Sequence, residues 1–289
     1  LLTAGGFILL NGTNMGPTAS KLALMTSGEA AKRNATRVAV SFTNPTSGLT
    51  VSYQASECEI LSGSNTAARC LVPPGVGSEF TWTISIGTPL YAVNRTSEFS
   101  SNFAYEAPVI ANVTVGDLST NGGAGTLSTS GGTKITITGT SLGPLGVQSS
   151  AMEVKYARGL SSADLRSNPT GIVAQECIVI VAHTKMERKA SPGVGKDMEF
   201  WISNLAGSYS NVLSTHRASY FPPILSTIKL LGHDLNSLPT DGGDVVILTG
   251  SNFGPTTPTT EIFTKFQLSS VRYGPGSGAR YTATGCMVT

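Results

Sequence analysis

"TSGGTKITITGTSLGP" occupies Thr129 to Pro144: a Gly-Gly turn, an alternating run, and a second turn closed by Gly-Pro. Nearly the same phrase appears as "TAGGFILLNGTNMGP" at Thr3 to Pro17 and as "TDGGDVVILTGSNFGP" at Thr240 to Pro255. A phrase written three times in one chain belongs to a repeated structural unit rather than to a single active site. Inside it, "TKITITG" (Thr133 to Gly139) and "DVVILTG" (Asp244 to Gly250) are β-branched and bounded by glycine turns, which is how a short strand is written.

Further landmarks follow in a constant order. A hydrophobic-x-Tyr element ends at Tyr53, Tyr156 and Tyr273, and a cysteine comes next at Cys58, Cys177 and Cys286. "PPGVGSEFTWTIS" (Pro73 to Ser85) answers "SPGVGKDMEFWIS" (Ser191 to Ser203), and "FAYEAPVI" (Phe103 to Ile110) answers "ASYFPPIL" (Ala218 to Leu225). Three units result, over 1–108, 109–223 and 224–289. The first lacks the strand that precedes the Gly-Gly phrase in the other two, and the third stops after its cysteine. No long period-3.6 pattern with caps occurs; "SKLALMTSGEAAKR" (Ser20 to Arg33) supports one short helical turn at most. Short strands with frequent turn signals predict an all-β chain of sandwiches, with Trp82 and Trp201, alternating with Ile84 and Ile202, in the cores between sheets.

Composition agrees. Charged residues are 12% of the 289, about half the usual share of roughly 25%, and the polar load falls on 34 Ser and 35 Thr. With 40% hydrophobic residues this is not a recipe for disorder. A net charge of +2 gives no footprint for nucleic acid, and the densest basic cluster, "HTKMERK" (His183 to Lys189), contains Glu187 and reads as a solvated loop or strand edge. No apolar run approaches the ~20 residues of a membrane span. The chain opens on Leu1 without an initiator Met or signal peptide and stops at Thr289 in mid-pattern, as a segment of a longer protein would.

The ordered set "P-x-I … GG … G-x-x-[FLM]-G-P … V-x-Y … C … PPGVG … W-x-I … F-x-Y … P-x-I" resembles the IPT/TIG branch of immunoglobulin-like domains, over essentially the whole chain. The resemblance implies tandem immunoglobulin-like sandwiches, two nearly complete and a third in part. It also implies a bridge between Cys58 and Cys70, since the family commonly bridges cysteines at these places. In the second unit the place of Cys70 falls near Lys189 and Ala190, which leaves Cys177 as a buried small apolar residue. Cys286 has no partner within the sequence.

Four Asn-x-Ser/Thr acceptors occur: Asn11, Asn34, Asn94 and Asn112. Asn34 falls in the polar insertion "GEAAKRNATR", Asn94 in a loop before "FAY", and Asn112 at the start of the linker to the second unit; Asn11 sits at a strand end. A bridge beside sequons points to an extracellular or cell-surface location reached by the secretory pathway.

Catalytic chemistry has no visible carrier. His183, His216 and His233 lie in different units or joints without a nucleophile motif, and no G-x-S-x-G, H-E-x-x-H or phosphate loop occurs. Asp234, Asn236, Asp241 and Asp244 cluster near a joint, but their spacing matches no calcium loop. The sequence therefore predicts no enzyme, no cofactor and no metal. It predicts a structural or adhesive segment of a glycosylated surface stalk, fibre or filament, whose partners are neighbouring repeats or copies of itself and covalent glycans. The second expectation is a plexin-like receptor ectodomain, which calls for an exposed apolar cluster that the sequence does not display. A DNA-binding role in the manner of the transcription-factor branch lacks its Arg-rich recognition loop.

Overall fold

The computed structural model describes residues 3–15, 37–44, 51–61, 65–88, 91–100, 103–116, 125–146, 151–158, 171–204, 210, 213–231, 238, 240–256, 270–275 and 280–289. All regular elements among these are strands. The predicted helical turn in Ser20 to Arg33 lies outside the described residues.

The first unit has β1 (Gly6–Asn11), β2 (Arg37–Asn44), β3 (Val51–Ile60), β4 (Ala67–Val72), β5 (Thr81–Thr88) and β6 (Tyr91–Ser100), in one sheet of order β1-β4-β3-β2-β5-β6. The second has β7 (Val109–Val115), β8 (Thr126–Leu127), β9 (Lys134–Thr140), β10 (Met152–Arg158), β11 (Ile172–Val173), β12 (Gln175–Val181), β13 (Lys185–Lys189), β14 (Met198–Asn204) and β15 (Leu213–Tyr220). These form two sheets, β12-β13-β9-β7 and β11-β10-β14-β15-β8. The difference lies in one strand. β3 pairs with β2 through Val51 to Ala55 and with β4 through Ser56 to Ile60, so it stitches the halves together. In the second unit the same passage breaks at Ala174 into β11 and β12, and the halves separate.

Burial follows the alternation. Ile135 and Ile137 on β9 are buried while Lys134 faces outward, and the buried cluster joins them to Met186 of β13 and to Val154, Tyr156, Phe200 and Ile202 of the opposite sheet. "HTKMERK" is thus not a solvated edge: β13 lies between β12 and β9, with Met186 and Arg188 buried. Lys185, Glu187 and Lys189 take the other face, which hid the buried pair behind charge in the sequence.

Two sequence expectations are corrected by pairing register. Phe42 on β2 opposes Trp82 as Tyr156 on β10 opposes Phe200, so the counterpart of Tyr156 is Phe42, and Tyr53 matches Ile172 on the neighbouring strand. Trp201 is one step out of phase with Trp82. Phe200 and Ile202 enter the core, so Trp201 points to the opposite face of β14, as a one-residue offset requires. It is buried there beside Gly171, whose added Cβ would lie 2.4 Å from the indole ring.

The described residues of the third unit form two ribbons, β16 (Ile224–Leu230) with β17 (Val246–Ser251) and β18 (Val271–Tyr273) with β19 (Tyr281–Ala283). The register of β16 on β17 repeats that of β7 on β9, including an irregularity after the second pair. No second sheet covers it among the described residues, so Leu225 is 51% exposed where its counterpart Ile110 is 2%.

The repeated glycine of the phrase now has a cause. At Gly139 and at Gly250 an added Cβ would fall 1.9 Å from the carbonyl oxygen of Val109 and of Ile224, the strands crossing alongside. Backbone cannot retreat as a side chain can. Gly12, the matching residue of the first unit, meets only the flexible end of Met15. Gly139→Ala is therefore expected to destabilise the second unit by about 1–3 kcal/mol or more, and Gly12→Ala to be nearly silent, in urea unfolding of the whole chain.

Candidate functional site

In the first two units the polar groups converge on the loop that carries "PGVG". Two features force it close to its neighbours: Gly75 and Gly193, whose added Cβ atoms would each come within 2.7 Å of a tyrosine ring or hydroxyl, Tyr105 and Tyr220 respectively. Tyr105 donates its hydroxyl to the Pro73 carbonyl at 2.7 Å, and Tyr220 donates to the Ser191 carbonyl at 2.8 Å. The same tyrosines give their backbone N–H to Gly77 and Gly195, while Gly75 and Gly193 donate to Thr3 and Thr129 of the opening phrase.

A second phenol completes each clamp from a different strand. Tyr53 on β3 donates to the Val76 carbonyl at 3.0 Å and accepts from the Val76 amide at 2.9 Å. Tyr156 on β10 accepts from the Ser191 amide at 3.1 Å and lies 2.9 Å from the Tyr220 hydroxyl. Burial pushes all four phenols above their ordinary value; the companion tyrosine raises Tyr105 and Tyr220 further, while hydrogen bonds partly offset the rise at Tyr53 and Tyr156. They are fixed, protonated donors.

The cysteines sit at matched bulges. Glu57 and Glu176 both take φ 49°, and the ladder slips between Ser56 and Glu59 as it does between Gln175 and Ile178. That places Cys58 opposite Cys70 and Cys177 opposite Arg188. Cys58 and Cys70 are joined by a disulfide. In the second unit the partner place belongs to Arg188, not to Lys189 or Ala190 as the sequence spacing suggested, because Ile8 opposes Cys70 just as Ile135 opposes Arg188. Arg188 spends its terminal nitrogens on the Ala174 and Met152 carbonyls, and its Nε has no partner among the described residues. Burial raises the Cys177 thiol, and the adjacent guanidinium pulls it partly back.

Of the four sequons, Asn11 and Asn112 are exposed. Asn112 lies within β7 rather than in a linker, and Asn94 lies within β6 rather than in a loop. Asn34 is outside the described residues, as are His233, Asp234 and Asn236. Among the described residues no three His, Cys, Asp or Glu side chains stand close enough to hold a metal ion, and no helix is long and apolar enough to cross a membrane. His183 instead joins two units: its Nδ1 is 2.8 Å from the Thr3 hydroxyl. One feature went unseen in the sequence. On the edge strand β12, Ile178, Ile180 and Val181 are exposed beside buried Cys177 and Val179, because a uniformly apolar run conceals which residues face out.

No protein-family model matches the chain. No curated protein matches it. Among solved structures it is similar to a "Biofilm associated protein - BSP domain", at 15% identity with a TM-score of 0.21, over 76% of this chain and 28% of that one. The chain thus spans under a third of that structure's length, and so distant a likeness carries no argument about function.

Two outcomes follow from the clamps and the thiols. The stability held by the raised phenols is present in full below about pH 10, where unfolded tyrosines are protonated, and is lost above it as the unfolded chain ionises first. Urea midpoints are expected to fall steeply above that pH, less so in Tyr105→Phe or Tyr220→Phe, each of which loses about 1 kcal/mol at neutral pH. Alkylation of the native chain is expected to label exposed Cys286 and spare buried Cys177, giving one adduct natively and two in denaturant by intact mass.

Proposed function

We propose that this chain is a non-enzymatic structural or adhesive segment, built of tandem immunoglobulin-like units of the IPT/TIG type, in a glycosylated extracellular or cell-surface stalk, fibre or filament. The observation that carries this reading is the recurrence of one polar clamp in the first two units: Tyr105 and Tyr220 are spent, in matched positions with matched bonds, on holding the "PGVG" loop. The Cys58–Cys70 bridge favours an oxidising compartment. Exposure of Asn11 and Asn112 leaves both open to glycan transfer. Partners on this reading are neighbouring units of the array and covalent sugars. On this reading the units span 1–108, 109–223 and 224–289.

The exposed stripe of Ile178, Ile180 and Val181 favours a second reading, a receptor ectodomain that binds a protein ligand through this edge. Glycopeptide mass spectrometry of the native protein tests the first reading. Glycan on Asn11, Asn34, Asn94 or Asn112, together with linked Cys58 and Cys70 peptides under non-reducing conditions, is the expected result. Four bare sequons with both thiols free would point to a reducing compartment and end it.

A further inference from the structure

Val76 is the valine of the first "PGVG" loop, and it is 2% exposed. Yet it is not a member of the buried cluster of its own unit, which contains Ile8, Cys70, Trp82 and Tyr105. It belongs to the cluster of the second unit, with Leu142 of the "SLGP" turn among its members. Polar contacts surround the crossing. Ser141 donates its hydroxyl to a Glu106 carboxylate oxygen at 3.2 Å, and His183 meets Thr3 at 2.8 Å while its backbone binds both Leu142 and Gly143.

The next joint repeats the arrangement. Val194 holds the same place in the second "PGVG" loop, and an added Cβ on Gly254, in the "NFGP" turn of the third unit, would fall 2.8 Å from its Cγ1. Asn252 takes the part of Ser141. Both residues adopt left-handed backbone, φ 60° and 56°, and Asn252 donates its side-chain amide to the Pro222 carbonyl at 3.2 Å. Twice, then, a left-handed Ser or Asn reaches back to the linker; the turn after Asn252 meets the valine of the preceding unit, and Leu142 of the turn after Ser141 shares a buried cluster with Val76.

We propose that the "PGVG" valine is a docking element that couples each unit to the one that follows it. The clamp holds the loop rigid from its own unit, so the valine enters its neighbour without losing conformational freedom at that moment. Directional hydrogen bonds on either side of it resist rotation about the linker. Adjacent units therefore keep a fixed angle, and the second unit draws part of its stability from a residue of the first. This rests on the reading of the chain as tandem units and is independent of its compartment or its sugars.

The test uses the full chain and its two tryptophans, one in each of the first two units. With Trp82→Phe, Trp201 alone reports unfolding of the second unit; with Trp201→Phe, Trp82 reports the first. Val76→Ala is expected to move the Trp201-reported transition to lower urea, with about a tenfold fall in the second unit's folding constant, the effect of losing two buried methylene equivalents. A Trp201 transition that stays in place while the Trp82 transition moves would show that Val76 serves only its own loop, and would overturn the proposal. A second measurement avoids the tryptophan variants. In Cys286→Ser protein under mild urea, alkylation of Cys177 is expected to run about tenfold faster with Val76→Ala, because opening of the second unit limits it. An unchanged rate would equally overturn the coupling. Should Val76→Ala unfold the first unit, Thr3→Ala and His183→Ala combine in a double-mutant cycle read at Cys177; full additivity would rule out a bond across the joint. Unglycosylated protein serves throughout, so absence of glycan leaves this result standing.

Discussion

A buried tyrosine hydroxyl bound to a loop carbonyl is the constraint on which the rest of each of the first two units depends. Tyr220 stands at the end of β15, the last strand of the second unit, and its bond to Ser191 ties that strand to the loop leading into β14. Through Tyr156 the same point is tied to β10, and through Gly193 to Thr129 ahead of β9. Elements of both sheets are thus tied to one loop. A buried carbonyl left without such donors would be expensive, and a phenol supplies a donor at the tip of a large apolar body. That is why tyrosine rather than serine or phenylalanine fits here.

The first two units differ most at the bulge, where one uses a covalent link and the other does not. A disulfide there crosses between adjacent strands, Cys58 on β3 and Cys70 on β4, and restricts the unfolded chain. Arg188 in place of Cys70 works differently. Its guanidinium bridges the Ala174 and Met152 carbonyls, so it secures the break between β11 and β12 and the start of β10. The first unit has no such break to secure, because β3 passes through unbroken. A buried cation without a carboxylate hydrogen-bonded to it is a costly solution: burial lowers the pKa of the Arg188 guanidinium, and neighbouring Cys177 and Glu153 oppose that shift.

Much of this was legible in the sequence because glycine, proline and tyrosine mark positions where backbone geometry leaves few alternatives. The three Gly-Gly phrases, the "PGVG" loops and the all-β character follow from such residues. Strand phase was harder. Tyr53 and Tyr156 share a motif but stand on adjacent strands, and their hydroxyls reach the same loop by different routes, so similarity of letters concealed a change of strand. Trp201 misled for a related reason: "EFWIS" differs from "FTWTIS" by one position in the spacing of aromatic to isoleucine, and in a strand one position is the whole distance between faces. Arg188 was missed by counting forward from the cysteine, because the stretch from Cys177 to its partner is one residue shorter than that from Cys58 to Cys70. Counted back from the "PGVG" loop, Arg188 precedes Pro192 by four residues as Cys70 precedes Pro74, but a charged residue is an improbable occupant of a buried site.

The left-handed residues Asn14, Ser141 and Asn252 carry a further implication. Each precedes the hydrophobe-Gly-Pro turn, and each is a residue type whose short polar side chain tolerates that backbone. Glycine would suit the backbone better, yet none of the three phrases uses it. A side chain is required at this point, and in the two joints it reaches the preceding linker. Backbone strain is therefore accepted where it aims a hydrogen bond across a boundary between units. The sequence phrase that looked like a strand terminator has a second duty, and the residue choice at Ser141 and Asn252 answers to the neighbouring unit as much as to its own.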